Sequence, residues 1–291
     1  MELNRKIAVY MHNMLLIFPC FLIQYVGKEM IMGVIITLCN PKGGTAKTST
    51  AVNLCCGLKA VNKKVLLVDF DPQRSASVAL GYEYFDSENN ISSSVLDGVP
   101  IESCIVPYTK GGFDLSLASD DLIAIPAALR ERLNAHEALA DALAPVKNKY
   151  DYIIVDTPAT LNMITITAIC ASDYLIIPVS CDIFSVDSMM GLIKKYHELK
   201  ENGLTHSCIL GILRTMYDKL LPLASTISSE LESSFNDLLF KTKITYNPRI
   251  SESSSAAVPV LLYDRTSLGS QEYLSFTGEV LKKLKVLEGA A

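Results

Sequence analysis

The chain has 291 residues, 49% of them hydrophobic, and a formal net charge of -5. That size and composition suit one large α/β domain and leave little room for a second. The charge excludes a globally basic nucleic-acid binder, so any contact with DNA has to come from a local patch.

Arg5 and Lys6 precede a nearly all-apolar stretch, Ile7 to Val26, interrupted by His12, Asn13, Pro19 and Gln24. That order has the form of a signal sequence, a marginal membrane helix or a helix packed on the domain. Pro19 and the polar residues weaken a spanning helix. Met30 and Met32 stand just before the first core strand, and a start codon upstream of them would add a segment with no selected role. We read residues 1–32 as an apolar extension without an assigned role and residues 33–291 as the domain. Removing residues 1–29 is expected to leave folding intact.

The next apolar run, Val34 to Leu38, reads as a buried strand, and Ser49 to Val61 has helical patterning. Between them lies Asn40-Pro-Lys-Gly-Gly-Thr-Ala-Lys-Thr-Ser49. A strand, a glycine turn, a Lys-Thr pair and a helix make a phosphate cradle, because backbone N–H groups at the turn and helix N-terminus point at an anion. Lys47 supplies a point charge for the β- and γ-phosphates, and the Thr48 hydroxyl is a Mg²⁺ ligand candidate. The implied ligand is a nucleoside triphosphate with magnesium. The general pattern has glycines where this chain has Pro41 and Ala46. A right-handed helical conformation at Ala46 would tolerate its methyl, so weaker binding is the most that is expected.

Lys64 to Gln73 contains a second strand, Val65–Val68, followed by Asp69 and Asp71, which face one side if the chain stays extended. Tyr82 to Ser94 is polar and reads as a loop. Leu115–Ala118, Ile153–Val155, Tyr174–Val179 and Ile209–Leu213 read as further strands. Helices are expected over Pro126–Leu143, Met163–Ala171, Val186–Asn202, Leu223–Phe235 and Gln271–Leu287. The alternation predicts a parallel, doubly wound sheet with helices on both faces. Ligands of such sheets bind outside the carboxyl ends of the strands, where Asp69, Asp71 and Asp156 stand. Eight cysteines lack paired metal spacing and read as reduced core residues of a cytosolic protein.

The Lys42-Gly-Gly-x-x-Lys47-Thr48 variant resembles the deviant Walker box of the ParA/MinD family of P-loop ATPases. Asp69-Phe-Asp71-Pro-Gln73 is similar to that family's second box. Ala171 to Val179, Gly211 to Asp218 and Asn247 to Glu252 are similar to its later segments. The resemblance covers residues 33 to 287 and implies an ATPase that uses ATP and Mg²⁺. It implies phosphate contacts from Lys42, Gly43, Gly44, Thr45, Ala46, Lys47, Thr48 and Ser49, with Met216 and Pro248 as walls of the adenine pocket. Asp156 would hold magnesium through a water, Asp69 would order its shell, and Asp71 would position the attacking water. Lys42 would act in trans, across a homodimer that forms with ATP.

The same resemblance implies a DNA-partition ATPase of plasmid or chromosome, cytoplasmic and nucleoid-associated. It would bind DNA nonspecifically and be released when a ParB-like centromere-binding partner stimulates hydrolysis. Arg249 matches a family arginine that helps bind DNA. A second family arginine is absent; Leu220 stands there, with Lys219 beside it. Lys241, Lys243, Lys282, Lys283 and Lys285 are expected to contribute to a patch. Two alternatives stay open: a MinD-like positioning ATPase, which would need the Tyr273–Leu287 stripe to bind a membrane rather than pack on the core, and an ATP-switched binding protein with little turnover.

Overall fold

A computed structural model describes residues 33–82, 89–130, 132 and 134–289. The expectations for residues 1–32, and part of the Tyr82 to Ser94 loop, lie outside the described residues. The first half of the domain comprises β1 (Val34–Leu38), α1 (Lys47–Ala60), β2 (Val65–Asp69), α2 (Ser75–Ala79), α3 (Ile91–Asp97), β3 (Ile105–Tyr108), β4 (Phe113–Ser116), α4 (Ile125–Ala128) and α5 (Ala138–Lys147). The second half comprises β5 (Tyr152–Asp156), α6 (Met163–Ala171), β6 (Tyr174–Ser180), α7 (Ile183–Glu201), β7 (Cys208–Tyr217), α8 (Pro222–Phe235), β8 (Leu239–Thr245), α9 (Pro248–Ser255), α10 (Val260–Tyr263) and α11 (Leu268–Gly289).

The sheet order is β3-β4-β2-β5-β1-β6-β7-β8. Every neighbouring pair is parallel except β3 and β4. The central strands are buried along their whole length, as their Val/Ile/Leu-rich runs require when both faces are covered. Period-two alternation sorts their side chains. Ile36, Leu67 and Ile154 pack with α1 and α11, whereas Ile35, Leu66 and Ile153 pack on the face covered by α3, α5 and α6. Leu175, Ile177 and Ile212 join α7 and α8 in a third cluster. The expected doubly wound sheet is therefore present.

Two helices meet closely on the first face. A Cβ at Gly57 of α1 would fall 2.2 Å from the Thr277 hydroxyl oxygen of α11, so only glycine allows that approach. Tyr273, Phe276, Val280 and Leu284 of α11 are buried, so most of the apolar stripe near the C-terminus packs on the core, while Leu274, Val286 and Leu287 stay exposed. Among the described residues no helix is long and apolar enough to cross a membrane.

Helix α11 also closes the sheet edge. The Glu279 carboxylate accepts from the Lys241 and Thr242 amides at 2.6 and 3.0 Å, and Glu272 accepts from the Thr245 amide at 2.8 Å. Edge amides that would otherwise face solvent are paired with carboxylates instead.

Several expected bounds move. The Pro126–Leu143 helix is broken into α4, a short 3-10 turn at Ala135–Glu137 and α5. Part of the Tyr82–Ser94 loop is helix α3, which Asn90 starts by a capping box with Ser93. The expected late loop at Asn247–Glu252 is the first turns of α9, with Asn247 as its cap and Pro248 at its first position.

Candidate nucleotide site

The segment between β1 and α1 is pinned at several points. Asn40 donates its side-chain amide to the Pro178 carbonyl of β6 at 2.8 Å and accepts from the Lys42 amide at 3.0 Å. The Thr215 hydroxyl of β7 donates to the Thr45 carbonyl at 3.0 Å. Gly44 has φ 75°, a region glycine enters freely. No side chain caps α1, so its first amides face the cradle, as an anion site requires.

Ala46 corrects an expectation. Its φ is 57° and ψ 31°, so it is left-handed, not right-handed. The methyl then crowds the following carbonyl, at a cost of roughly 1–2 kcal/mol for an L-residue. The glycine of the general pattern is thus a conformational requirement that this chain meets with strain.

A cavity of about 570 Å³ opens over the cradle. Gly43, Gly44, Thr45, Ala46, Lys47, Thr48 and Ser49 line one side; Asp71, Pro72, Gln73 and Ser75 line another; Ile123, Pro126, Pro158, Ala159, Thr160, Asn162 and Ile164 complete it. Ile123 and Pro126 are not among the residues expected from the sequence. They sit in a short helical segment after β4, and a surface isoleucine carries no chemical signal in a sequence.

Lys47 is buried and donates to the Lys42 carbonyl at 3.1 Å. Burial lowers its pKa, and Asp156 and Asp71 pull it back up. Asp156 is fully buried, and neither carboxylate oxygen has a hydrogen-bond partner. Burial, then the neighbouring Asp69, push its carboxyl far above the usual range. The Thr48 hydroxyl is near enough to oppose that rise but not in hydrogen-bonding geometry. An orphaned buried carboxylate beside a threonine hydroxyl fits a divalent cation, which would supply the missing charge. The described residues contain no group of three His, Cys, Asp or Glu that would cage a metal.

The two acids at the end of β2, Asp69 and Asp71, part company. The strand stops at Asp69, whose carboxylate accepts from the Ser77 amide and hydroxyl at 2.7 Å each and from the Asp71 amide at 3.3 Å. Burial raises its pKa to about 6 against those bonds. Asp71 instead reaches the cavity, and its carboxylate accepts from the Gln73 amide at 2.9 Å and the Ser75 hydroxyl at 3.1 Å.

Other expected site residues lie outside this cavity. Met216 is the penultimate residue of β7, with a positive φ of 51° and 45% exposed, and Pro248 starts α9. Both stand at carboxyl ends of strands, on the side of the sheet that carries the cradle. Lys219 is exposed in the turn after β7. Arg249 donates to Glu252 at 2.7 Å and lies 3.5 Å from Asp264. The expected single patch of lysines does not form around it. Lys241, Lys282 and Lys283 line a cavity of about 900 Å³ at the start of β7 and β8, while Arg249 lies beyond the other end of β8. Lys243 is tied to Glu232 and stacks 4.7 Å from the Tyr217 ring centroid. The described cysteines are free thiols, buried or half-buried.

The AAA-domain family matches residues 33–208, more than half of the chain. Soj of Bacillus subtilis, a sporulation initiation inhibitor protein, is 36% identical over 249 residues, 86% of this chain and 98% of that protein. The chain is a member of the ParA/Soj family of P-loop ATPases. The chromosome partitioning protein ParA of Myxococcus xanthus is 32% identical to this ParA-family chain over 252 residues, 87% of it and 89% of that protein. The fold is shared with the septum site-determining protein MinD of Pyrococcus horikoshii, solved with Mg-ADP. Its TM-score is 0.70 at 24% identity, covering 88% of this chain and 98% of that one.

Proposed function

We propose that this ParA-family chain hydrolyses ATP with magnesium as a DNA-partition ATPase, and that its ATP-bound dimer binds DNA nonspecifically until a ParB-like partner stimulates turnover. The observation that carries the chemistry is the orphaned Asp156 carboxylate beside Lys47 and Thr48, under a cradle of backbone amides. The relatives named as partitioning proteins support the biological role.

The residues divide the work by position. The amides of residues 43–49 and the Lys47 ammonium bind the phosphates. Thr48 and Asp156 would hold magnesium, which when bound would neutralise the charge of the phosphate oxygens. Asp71, held in place by Gln73 and Ser75, orients the attacking water at the cavity wall. Asp69 braces that turn through Ser77 and so orders the shell indirectly. Met216 and Pro248 flank the adenine, and Lys42 adds its charge from the second copy. Tyr273, Phe276, Val280 and Leu284 of α11 are buried against the core, which supports the packing reading of that stripe over a membrane-binding one.

The test is a DNA gel shift with ATP, with ADP and without nucleotide, paired with a turnover assay. A shift with ATP alone and turnover raised by DNA and partner is the expected result. Lys47→Ala should abolish ATP binding by calorimetry and the shift with it. ATP-dependent DNA binding without measurable turnover would make the chain a switched binding protein instead.

A further inference from the structure

Lys42 precedes Gly43, the first residue of the nucleotide cavity, yet its own side chain does not line that cavity. It points to Asp182 instead, with Nζ to Oδ2 at 3.1 Å. The aspartate is itself held firmly. Its Oδ2 accepts from the Ser180 hydroxyl at 2.6 Å, and its Oδ1 caps α7 by accepting from the Ser185 amide at 3.0 Å. The Ser185 hydroxyl in turn accepts from the Ser180 amide at 3.0 Å. Burial would raise the Asp182 pKa, but its bonds to Ser180, Ser185 and Lys42 outweigh that and lower it. The pair is partly open, with side-chain exposures of 30% for Lys42 and 38% for Asp182. The Lys42 carbonyl meanwhile receives Lys47. One residue therefore sends its carbonyl inward and its ammonium to the rim.

We propose that Asp182 is the positioning residue for Lys42, holding its ammonium out of the chain's own phosphate cavity and presenting it at the rim to the nucleotide of a second copy. The proposal rests on the dimer reading above and adds the device that selects trans over cis. A free lysine side chain beside Gly43 would lower its energy by folding onto its own phosphates, where the negative charge is densest. A carboxylate fixed by two further bonds, from the Ser180 hydroxyl and the Ser185 amide, offers a competing partner at a defined place.

The variant Asp182→Asn keeps an oxygen for the Ser185 amide, so the cap is preserved, and removes the charge that holds Lys42. With a nonhydrolysable ATP analogue, the dimer dissociation constant from sedimentation should rise about three- to fivefold per pair, the upper range for a partly exposed ion pair. A two-fold dimer uses the pair twice, so roughly ten- to twenty-fivefold is expected overall. Analogue affinity of the monomer should be unchanged or tighter, and Asp182→Glu should restore dimerisation in part. In a Lys42→Ala background Asp182→Asn should have no further effect. An Asp182→Asn protein that dimerises as well as the original, or better, overturns the proposal. An unmodified chain that stays monomeric with the analogue defeats the dimer reading itself. One measurement needs no dimer: Lys42→Met should raise the Asp182 carboxyl titration followed by NMR, and an unmoved titration overturns the proposal whatever the assembly does.

Discussion

Ala46 shows what a residue-level reading of the cradle captures and what it omits. The lysines and the threonine were legible because their chemistry is in the side chain. The left-handed backbone was not, because φ is set by the carbonyl and amide directions the cradle needs, and alanine carries no sign of it. Ala46→Gly should relieve the strain. Allowing for the greater freedom of glycine in the unfolded chain, stability should rise by about 0.5–1 kcal/mol. Calorimetry should show ATP binding at least as tight as before. Asp156 permits a second test at this scale. Its folded-state pKa is raised, so its favourable contribution is present below the unfolded value and is lost as pH rises. In EDTA at pH 7.5, Asp156→Asn should therefore melt a few degrees higher than the unmodified protein, and the gap should close as pH falls toward the ordinary aspartate range. Asp69, with a pKa of about 6, adds a decline in stability through that pH in both proteins. Excess Mg-ATP should reverse the order, since only the intact site gains from binding.

At the level of elements, the central strands were legible and the edges were not. The runs Val34–Leu38, Val65–Val68, Ile153–Val155 and Tyr174–Val179 are apolar on both faces, and that pattern belongs to the middle of a parallel sheet. Strand β3 carries Pro107, which reads against a strand, and is allowed because β3 lies at the edge. Strand β8 carries Lys241 and Lys243, which look like a charged surface segment until the α11 carboxylates are in view. Those carboxylates give a direct test. Glu279→Ala leaves two edge amides unpaired and should cost about 1–2 kcal/mol in urea unfolding. Glu279→Gln, which keeps an acceptor, should recover part of it.

For the whole molecule, the sequence placed basic residues in one group that the fold separates. Lys282 and Lys285 belong to the end of α11 near the start of β8, whereas Arg249 stands on the cradle side of the sheet. Arg249→Glu should weaken DNA binding in excess ATP and lower the slope of log affinity against log salt by about one unit. Lys282→Glu with Lys285→Glu should leave both unchanged. Equal loss in the two variants would mean that DNA reaches around the edge of the sheet. Arg249 must first leave Glu252 and Asp264, so its contribution should be smaller than that of an unpaired arginine.

The pins on the cradle also govern the order in which the site can be made during synthesis. Asn40 waits for Pro178, 138 residues later, and Thr45 waits for Thr215, 170 residues later. Strand β1 has both its neighbours, β5 and β6, far downstream. At roughly 5–20 residues per second, a ribosome exposes the cradle sequence many seconds before anything can hold it. A nascent chain released before β7 emerges would carry every phosphate-binding residue and still lack the geometry to use them. Nucleotide can stabilise this fold only near the end of translation, so arrested chains of stepwise length should acquire ATP-analogue protection abruptly once Thr215 has left the exit tunnel.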